Sequence, residues 1–189
     1  RYLSDENIIG SRPWFQYKLY ELNSLFALVK TEELKATLLP WVKRDDLPLK
    51  FKINVLIYYA KIISSEGKSD EAYLYLEEAI AILTAASESF SAPILNVQIA
   101  NALLSLNKPK EAYNLLLEIE KKYQFSHDAI LQQELYANLG HAALALSMKN
   151  LHIEYRQTSL HWTLKTDNTQ QISVATYNLA RAFQYANEL

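Results

Sequence analysis

Residues 59–79 read YAKIISSEGKSDEAYLYLEEA, and residues 99–119 read IANALLSLNKPKEAYNLLLEI. Glu71-Ala72-Tyr73 in the first stretch returns as Glu111-Ala112-Tyr113 in the second, a shift of 40 residues. Carried along the chain, the shift aligns Tyr59-Ala60 with Ile99-Ala100, Leu139-Gly140 and Leu179-Ala180, each a bulky apolar residue before a small one. Three residues further on stand Ile63, Leu103, Ala143 and Phe183. Four residues before the small position stand Leu56, Asn96, Tyr136 and Thr176, a weaker column. Apolar positions at i, i+3 and i+4 form one buried stripe of a helix. A small residue within that stripe lets a neighbouring helix approach closely. Gly140 fits this reading, because Gly inside a helix costs about 1 kcal/mol relative to Ala and close packing can offset it. Self-similarity at such a period predicts tandem helical repeats.

The breakpoints fit helix pairs. Ser11 ahead of Pro13 suits a helix start, and Gly67 followed by Ser69 reads as a stop and a new N-cap. Asn107-Lys108-Pro109 does the same one period later. Nine helices are expected, near 12–29, 32–43, 47–65, 69–88, 92–106, 109–123, 127–147, 150–165 and 169–188. Ser87 to Pro93 reads as a loop or frayed helix end rather than a domain linker. The expected organisation is one domain over 1–189. Residues 1–46 form an irregular capping pair, followed by helix-pair repeats over 47–90, 91–125 and 126–167 and the first helix of a truncated repeat over 168–189.

Composition agrees. Half of the 189 residues are apolar, while only three are Gly and five Pro, which disfavours a turn-rich β architecture. Net charge is −2 with both signs mixed, so no basic stripe awaits nucleic acid. With no cysteine, disulfides, thiolate zinc sites and a cysteine nucleophile are excluded. The densest apolar stretch, Ile53 to Ile63, is broken by Asn54 and Lys61 and falls short of the roughly 20 residues a bilayer-spanning helix needs. No membrane contact within this segment and no signal peptide are expected. A chain from Arg1 to a helical run at Leu189 reads as a piece of a longer protein, with any targeting signal or anchor outside it.

The pattern Leu56, Tyr59, Ala60, Ile63, Gly67, Ala72, Leu76 and Ala79 resembles the tetratricopeptide repeat, followed less fully by Ile99, Ala100, Leu103, Ala112 and Leu116. The resemblance covers roughly residues 50 to 189 and implies an all-α, right-handed α-solenoid of antiparallel helix pairs. The 40-residue unit exceeds the usual 34 of that family, which longer helices would explain. The third unit departs, with His152 where Ala is expected and Arg156 where an apolar residue is expected. Its second helix is therefore expected to be shifted in register or loosely packed.

Motifs for catalysis are absent. His127, His141, His152 and His161 lack the spacing that brings two imidazoles to one metal from a single helix. No phosphate-cradling glycine loop or nucleophile elbow occurs, and adjacent acids such as Glu77-Glu78 and Asp45-Asp46 do not share a helix face. The expectation is no enzyme, no metal and no cofactor.

The repeat resemblance implies that residues flanking the small position line a concave face. The position after it gives Lys61, Asn101, His141 and Arg181, and the position two before it gives Tyr58, Gln98, Asn138 and Asn178. All eight side chains can hydrogen-bond, whereas the neighbouring core columns are almost wholly apolar. Tyr58 and Tyr177 are expected to stand exposed as aromatic anchors. Amides suit the backbone of an extended peptide, and Lys or Arg suits a carboxylate. Ile57, Val97 and Ala137 occupy one expected polar position of the family's carboxylate clamp, so this row is not expected to grip a free C-terminus. The expected function is a protein- or peptide-binding module. The run Gln171-Ile172-Ser173 through Tyr177-Asn178-Leu179-Ala180-Arg181 resembles sensor regions ahead of bacterial diguanylate cyclases (GGDEF) or histidine kinases, which often lie in the periplasm. The alternative is a cytoplasmic scaffold or the peptide-sensing domain of a transcription regulator.

Overall fold

At 40-residue intervals Gly67, Asn107 and Ser147 hold left-handed backbone, with φ of 83°, 57° and 60°. The same bond follows each one. Lys68 N–H donates to Ile63 O (3.1 Å), Lys108 N–H to Leu103 O (2.9 Å) and Met148 N–H to Ala143 O (2.8 Å). This Schellman closure satisfies a carbonyl orphaned at the helix end and turns the chain back on itself. The period written in side chains is therefore also written in the backbone.

The computed structural model describes residues 9–86 and 92–187. Among them the helices are α1 (Arg12–Ala27), α2 (Thr31–Val42), α3 (Leu49–Ser65), α4 (Ser69–Ala85), α5 (Pro93–Ser105), α6 (Pro109–Tyr123), α7 (Ala129–Ala145), α8 (Lys149–Thr163) and α9 (Thr169–Asn187). A 3-10 turn, Leu164–Thr166, follows α8, and no strand occurs among the described residues. The nine helices match the nine expected, each boundary within a turn. Most of the loop expected from Ser87 to Pro93, and the expected helix ends at 88 and 188, lie outside the described residues.

The chain divides into two compact units, Arg1–Phe90 and Ser91–Leu189. In the first, α3 packs against α1, α2 and α4. Ala60, Ala72 and Ala79 are fully buried, and so is Leu76, which lets α3 and α4 lie close. Trp14, Phe15, Trp41 and Phe51 form an aromatic cluster, with Phe15 and Phe51 centroids 4.9 Å apart and Trp41 and Phe51 5.8 Å apart. Lys52 is buried but satisfied, donating to Val42 O (2.9 Å) and pairing with Glu78 (2.9 Å). The α1–α2 turn repeats the closure of the later turns: Val29 sits at φ 56° and Lys30 N–H donates to Leu25 O (3.0 Å). The pair expected to be an irregular cap thus has the same turn, hidden because Val does not announce left-handed backbone.

In the second unit α5 pairs with α6, α7 pairs with α8, α5 and α7 pack side by side, and α9 rests on α8. The inward stripe of α6 is Ala112, Leu116 and Ile119; forty residues on, the stripe of α8 is His152, Arg156 and Ser159. The expected register shift or loose packing of α8 does not occur. His152 and Ser159 are buried, and each has a partner on α7: His152 Nδ1 lies 2.7 Å from Gly140 O, and Ser159 Oγ donates to Gln133 O (3.2 Å).

The departure falls on α9 instead. Ala180, expected as its buried small residue, is exposed, and the fully buried one is Ala182. Phe183, expected in the apolar column, is 43% exposed. The physical reason is that α9 turns the stripe Ala175, Leu179, Ala182 and Tyr185 toward the unit, and Tyr185 packs edge-on against His152. Its main packing is on α8, with the Gln133–Gln171 hydrogen bond reaching it from α7, so the spacing of the α7 columns does not set its buried face.

Candidate functional site

In the first unit, α3 carries Tyr58 and Lys61. Tyr58 is buried rather than exposed in a groove, which corrects the expectation. Its ring lies 5.2 Å from Phe26, and its hydroxyl donates to the Asn23 side-chain oxygen, both on α1. Burial pushes this phenol above its ordinary range. Lys61 is half-buried with its ammonium over the Phe26 ring, 5.1 Å from the centroid. Residue pairing by α1 was not legible, because nothing in the local pattern of α3 announces what covers it.

In the second unit, α5 supplies Gln98 and Asn101, α7 supplies Asn138 and His141, and α9 supplies Tyr177, Asn178 and Arg181. Asn101 Nδ2 donates to Asn138 Oδ1 (2.7 Å), tying α5 to α7 across the row. Asn138 is buried and also donates to Glu134 O (2.8 Å). Two of the expected ligand-reading amides therefore bind one another. Gln98 is half-buried, and its Oε1 is buried without a hydrogen-bond partner. His141 is exposed; desolvation of its ring, then the Arg156 cation, holds its pKa below the ordinary range. Tyr177 is 61% exposed, as expected for an anchor, and its hydroxyl accepts from Arg181 Nη1 (3.3 Å). Arg181 is exposed and Asn178 half-buried. Of these three, Asn178 lines a cavity.

That cavity, about 330 Å³, is lined by residues of α7, α8 and α9, among them Gln133, Glu134, Arg156, Gln171, Val174 and Asn178. Arg156 and Gln133 were not read as functional from the sequence. The signal available was the departure of α8 from the apolar stripe, taken there only as a packing fault. No group of three or more metal-ligating side chains occurs among the described residues, and no helix among them is long and apolar enough to cross a membrane.

No family model and no curated protein matches the sequence. Solved structures do match its fold. PlcR of Bacillus thuringiensis, solved in complex with the peptide PapR7 and DNA, is similar with a TM-score of 0.75 at 12% identity. The match covers 94% of this chain and 64% of that one, so the chain spans less than two thirds of that neighbour. A MamA RS-1 ArsTM double mutant gives a TM-score of 0.48 at 10% identity, covering 93% of this chain and 97% of that one. With helices alone among the described residues, a shared turn at each period and the likeness to PlcR, the chain has an all-α, tetratricopeptide-like repeat fold.

Proposed function

We propose that the chain is a non-catalytic peptide-binding module whose second unit presents Gln98, Asn101, His141, Tyr177, Asn178 and Arg181 to an extended ligand, with the buried Asn138 holding Asn101 in place. The observation that carries the reading is the contrast within α5 and α7: polar residues flank columns that are fully buried and apolar, Ile99 and Ala100 on α5 and Leu139 on α7. Lys61 is proposed to serve the first unit in the same way. An exposed face is often polar merely because it is wet. Here, however, the side-chain oxygen of the half-buried Gln98 in the same row is buried without a hydrogen-bond partner and has bonding capacity left for a ligand.

PlcR, which shares the fold, is solved with a peptide and with DNA. That supports placing the chain in a larger bacterial regulator that senses a peptide, and it favours the transcription-regulator setting over a membrane sensor. Binding would be of micromolar strength, about 8 kcal/mol, with each hydrogen bond adding only about 0.5–1.5 kcal/mol and the Tyr177 ring adding apolar contact.

Selection of binders from a displayed random-peptide library, followed by calorimetry with the selected peptide, tests this. His141→Ala and Arg181→Ala alter exposed side chains, so each is expected to weaken binding about tenfold without moving the melting temperature. Failure to enrich any peptide, or a selected peptide indifferent to both substitutions, overturns the reading.

A further inference from the structure

The middle of the inward stripe is Leu76 in α4 and Leu116 in α6, both fully buried. The equivalent residue of α8 is Arg156. Its Nε is buried with no hydrogen-bond partner, and no carboxylate among the described residues forms an ion pair with it. Desolvation lowers its pKa, yet a guanidinium stays charged in a protein. A half-buried charge whose Nε is out of water and which has no counter-charge is unfavourable, and an apolar residue of similar volume would serve packing better.

Gly140 lies directly beneath it. A methyl group there would come within 3.0 Å of Arg156 Nε and 3.1 Å of its Cδ. The glycine expected to admit a neighbouring helix instead admits the arm of one arginine. Two locally unfavourable residues, a glycine inside a helix and an arginine on a core stripe, thus serve a single placement.

Arg156 lines the cavity of about 330 Å³, a size suited to a small group of a ligand. Gln133 lines it too and is only 6% exposed. Its Nε2 donates to Gln171 Oε1 (3.1 Å), while its Oε1 is buried without a partner. A guanidinium with one unsatisfied buried donor and an amide with one unsatisfied buried acceptor therefore line the same cavity. His152 and Ser159, the other polar residues of the stripe, are accounted for by their bonds to α7.

We propose that this cavity is a subsite for a carboxylate and its neighbouring amide, with Arg156 holding the carboxylate and Gln133 Oε1 accepting the amide N–H. Glu134 in the lining repels any anion and a dianion such as phosphate about twice as strongly as a monoanionic carboxylate. Identifying the natural ligand as a peptide rests on the function proposed above; the carboxylate chemistry stands on Arg156 and Gln133. The carboxylate comes from a peptide C-terminus or from an acidic side chain, and both present the same group.

The test is a proton–nitrogen NMR titration of the intact chain, following the Arg156 Nε–H and Gln133 side-chain signals. N-acetylglycylglycine offers a terminal carboxylate, N-acetylaspartic acid α-amide a side-chain carboxylate, and N-acetylglycylglycine amide none. One or both carboxylates are expected to give a saturable shift, the better binder identifying the source, while the uncharged amide gives none. Arg156→Gln is expected to weaken that binding about tenfold or more. Arg156→Met is expected to abolish it while leaving the melting temperature unchanged or higher, since a desolvated charge is removed.

Absence of a saturable shift with either carboxylate overturns the proposal, as does equal binding of the uncharged amide or tighter binding of inorganic phosphate. These measurements use the wild-type chain and do not depend on any variant folding. Library-selected peptides that respond to His141→Ala while the small carboxylates fail to bind would sink the subsite alone. The reverse result would sink the groove reading alone.

Discussion

Val29 holds left-handed backbone at φ 56° with its side chain 80% exposed, so it contributes strain without packing. A β-branched residue there costs about 1–2 kcal/mol relative to Gly. Val29→Gly is therefore expected to raise stability by about 1 kcal/mol in urea titration, the greater backbone freedom of Gly in the unfolded chain offsetting part of the gain. A loss instead would mean the turn is not built as described. Asn138 behaves differently from its exposed neighbours in the row. Buried, and accepting from Asn101 while donating to Glu134 O, it is expected to cost about 1 kcal/mol or more of stability when changed to Ala. Its polarity and its place in the row were legible in the sequence. Its pairing was not, because that depends on how near α5 lies to α7.

Among the helices, α5 shows the repeat at its most regular. Ala100 is fully buried at the small position, and Ile99 beside it is buried too. Ala100→Leu adds volume where α5 meets its neighbours, and a loss of about 1–3 kcal/mol is expected by thermal or urea unfolding; an unchanged midpoint would contradict the register. Helix α8 keeps the same register with different chemistry, because imidazole and hydroxyl groups at His152 and Ser159 find carbonyls of α7 within reach. Helix α9 shows where the periodic reading ends. A helix can present any of several faces, and the neighbour decides which. The 40-residue alignment implies that α9 meets α7 as α7 meets α5; it packs mainly on α8, and the small residue it buries is Ala182.

For the molecule as a whole, partly or fully desolvated titratable groups set the pH range of stability. His152 and His141 have pKa values lowered first by desolvation, so the folded chain binds their protons less readily than the unfolded chain does. Their contribution is complete above the ordinary value near 6.5 and is lost as pH falls from there through the folded-state values. Tyr58, Tyr75, Tyr136 and Tyr155 are shifted the other way by desolvation, Tyr136 to about 12. Their contribution is complete below the ordinary value of 10.0 and is lost as pH rises through the folded-state values. Urea titrations across pH are expected to show a plateau from about pH 7 to 9.5 with a fall on each side. His152→Gln should flatten the acid limb, and an acid limb unchanged by that substitution would remove His152 as its cause.

The sequence by itself determined the helices, the turns at Gly67 and Asn107 and the period, because helix stripes, caps and the residues that favour left-handed turns are local properties carried by near neighbours along the chain. It also marked Arg156 as a departure from the apolar stripe and Gly140 as a small residue at a closely packed position. Tertiary structure alone decided that these two belong together, that Tyr58 is covered by α1, that Asn101 and Asn138 pair, and that α9 turns Ala182 rather than Ala180 inward. Each of those outcomes depends on which surface a neighbouring helix presents at a given distance, and that information is spread over residues far apart in the chain.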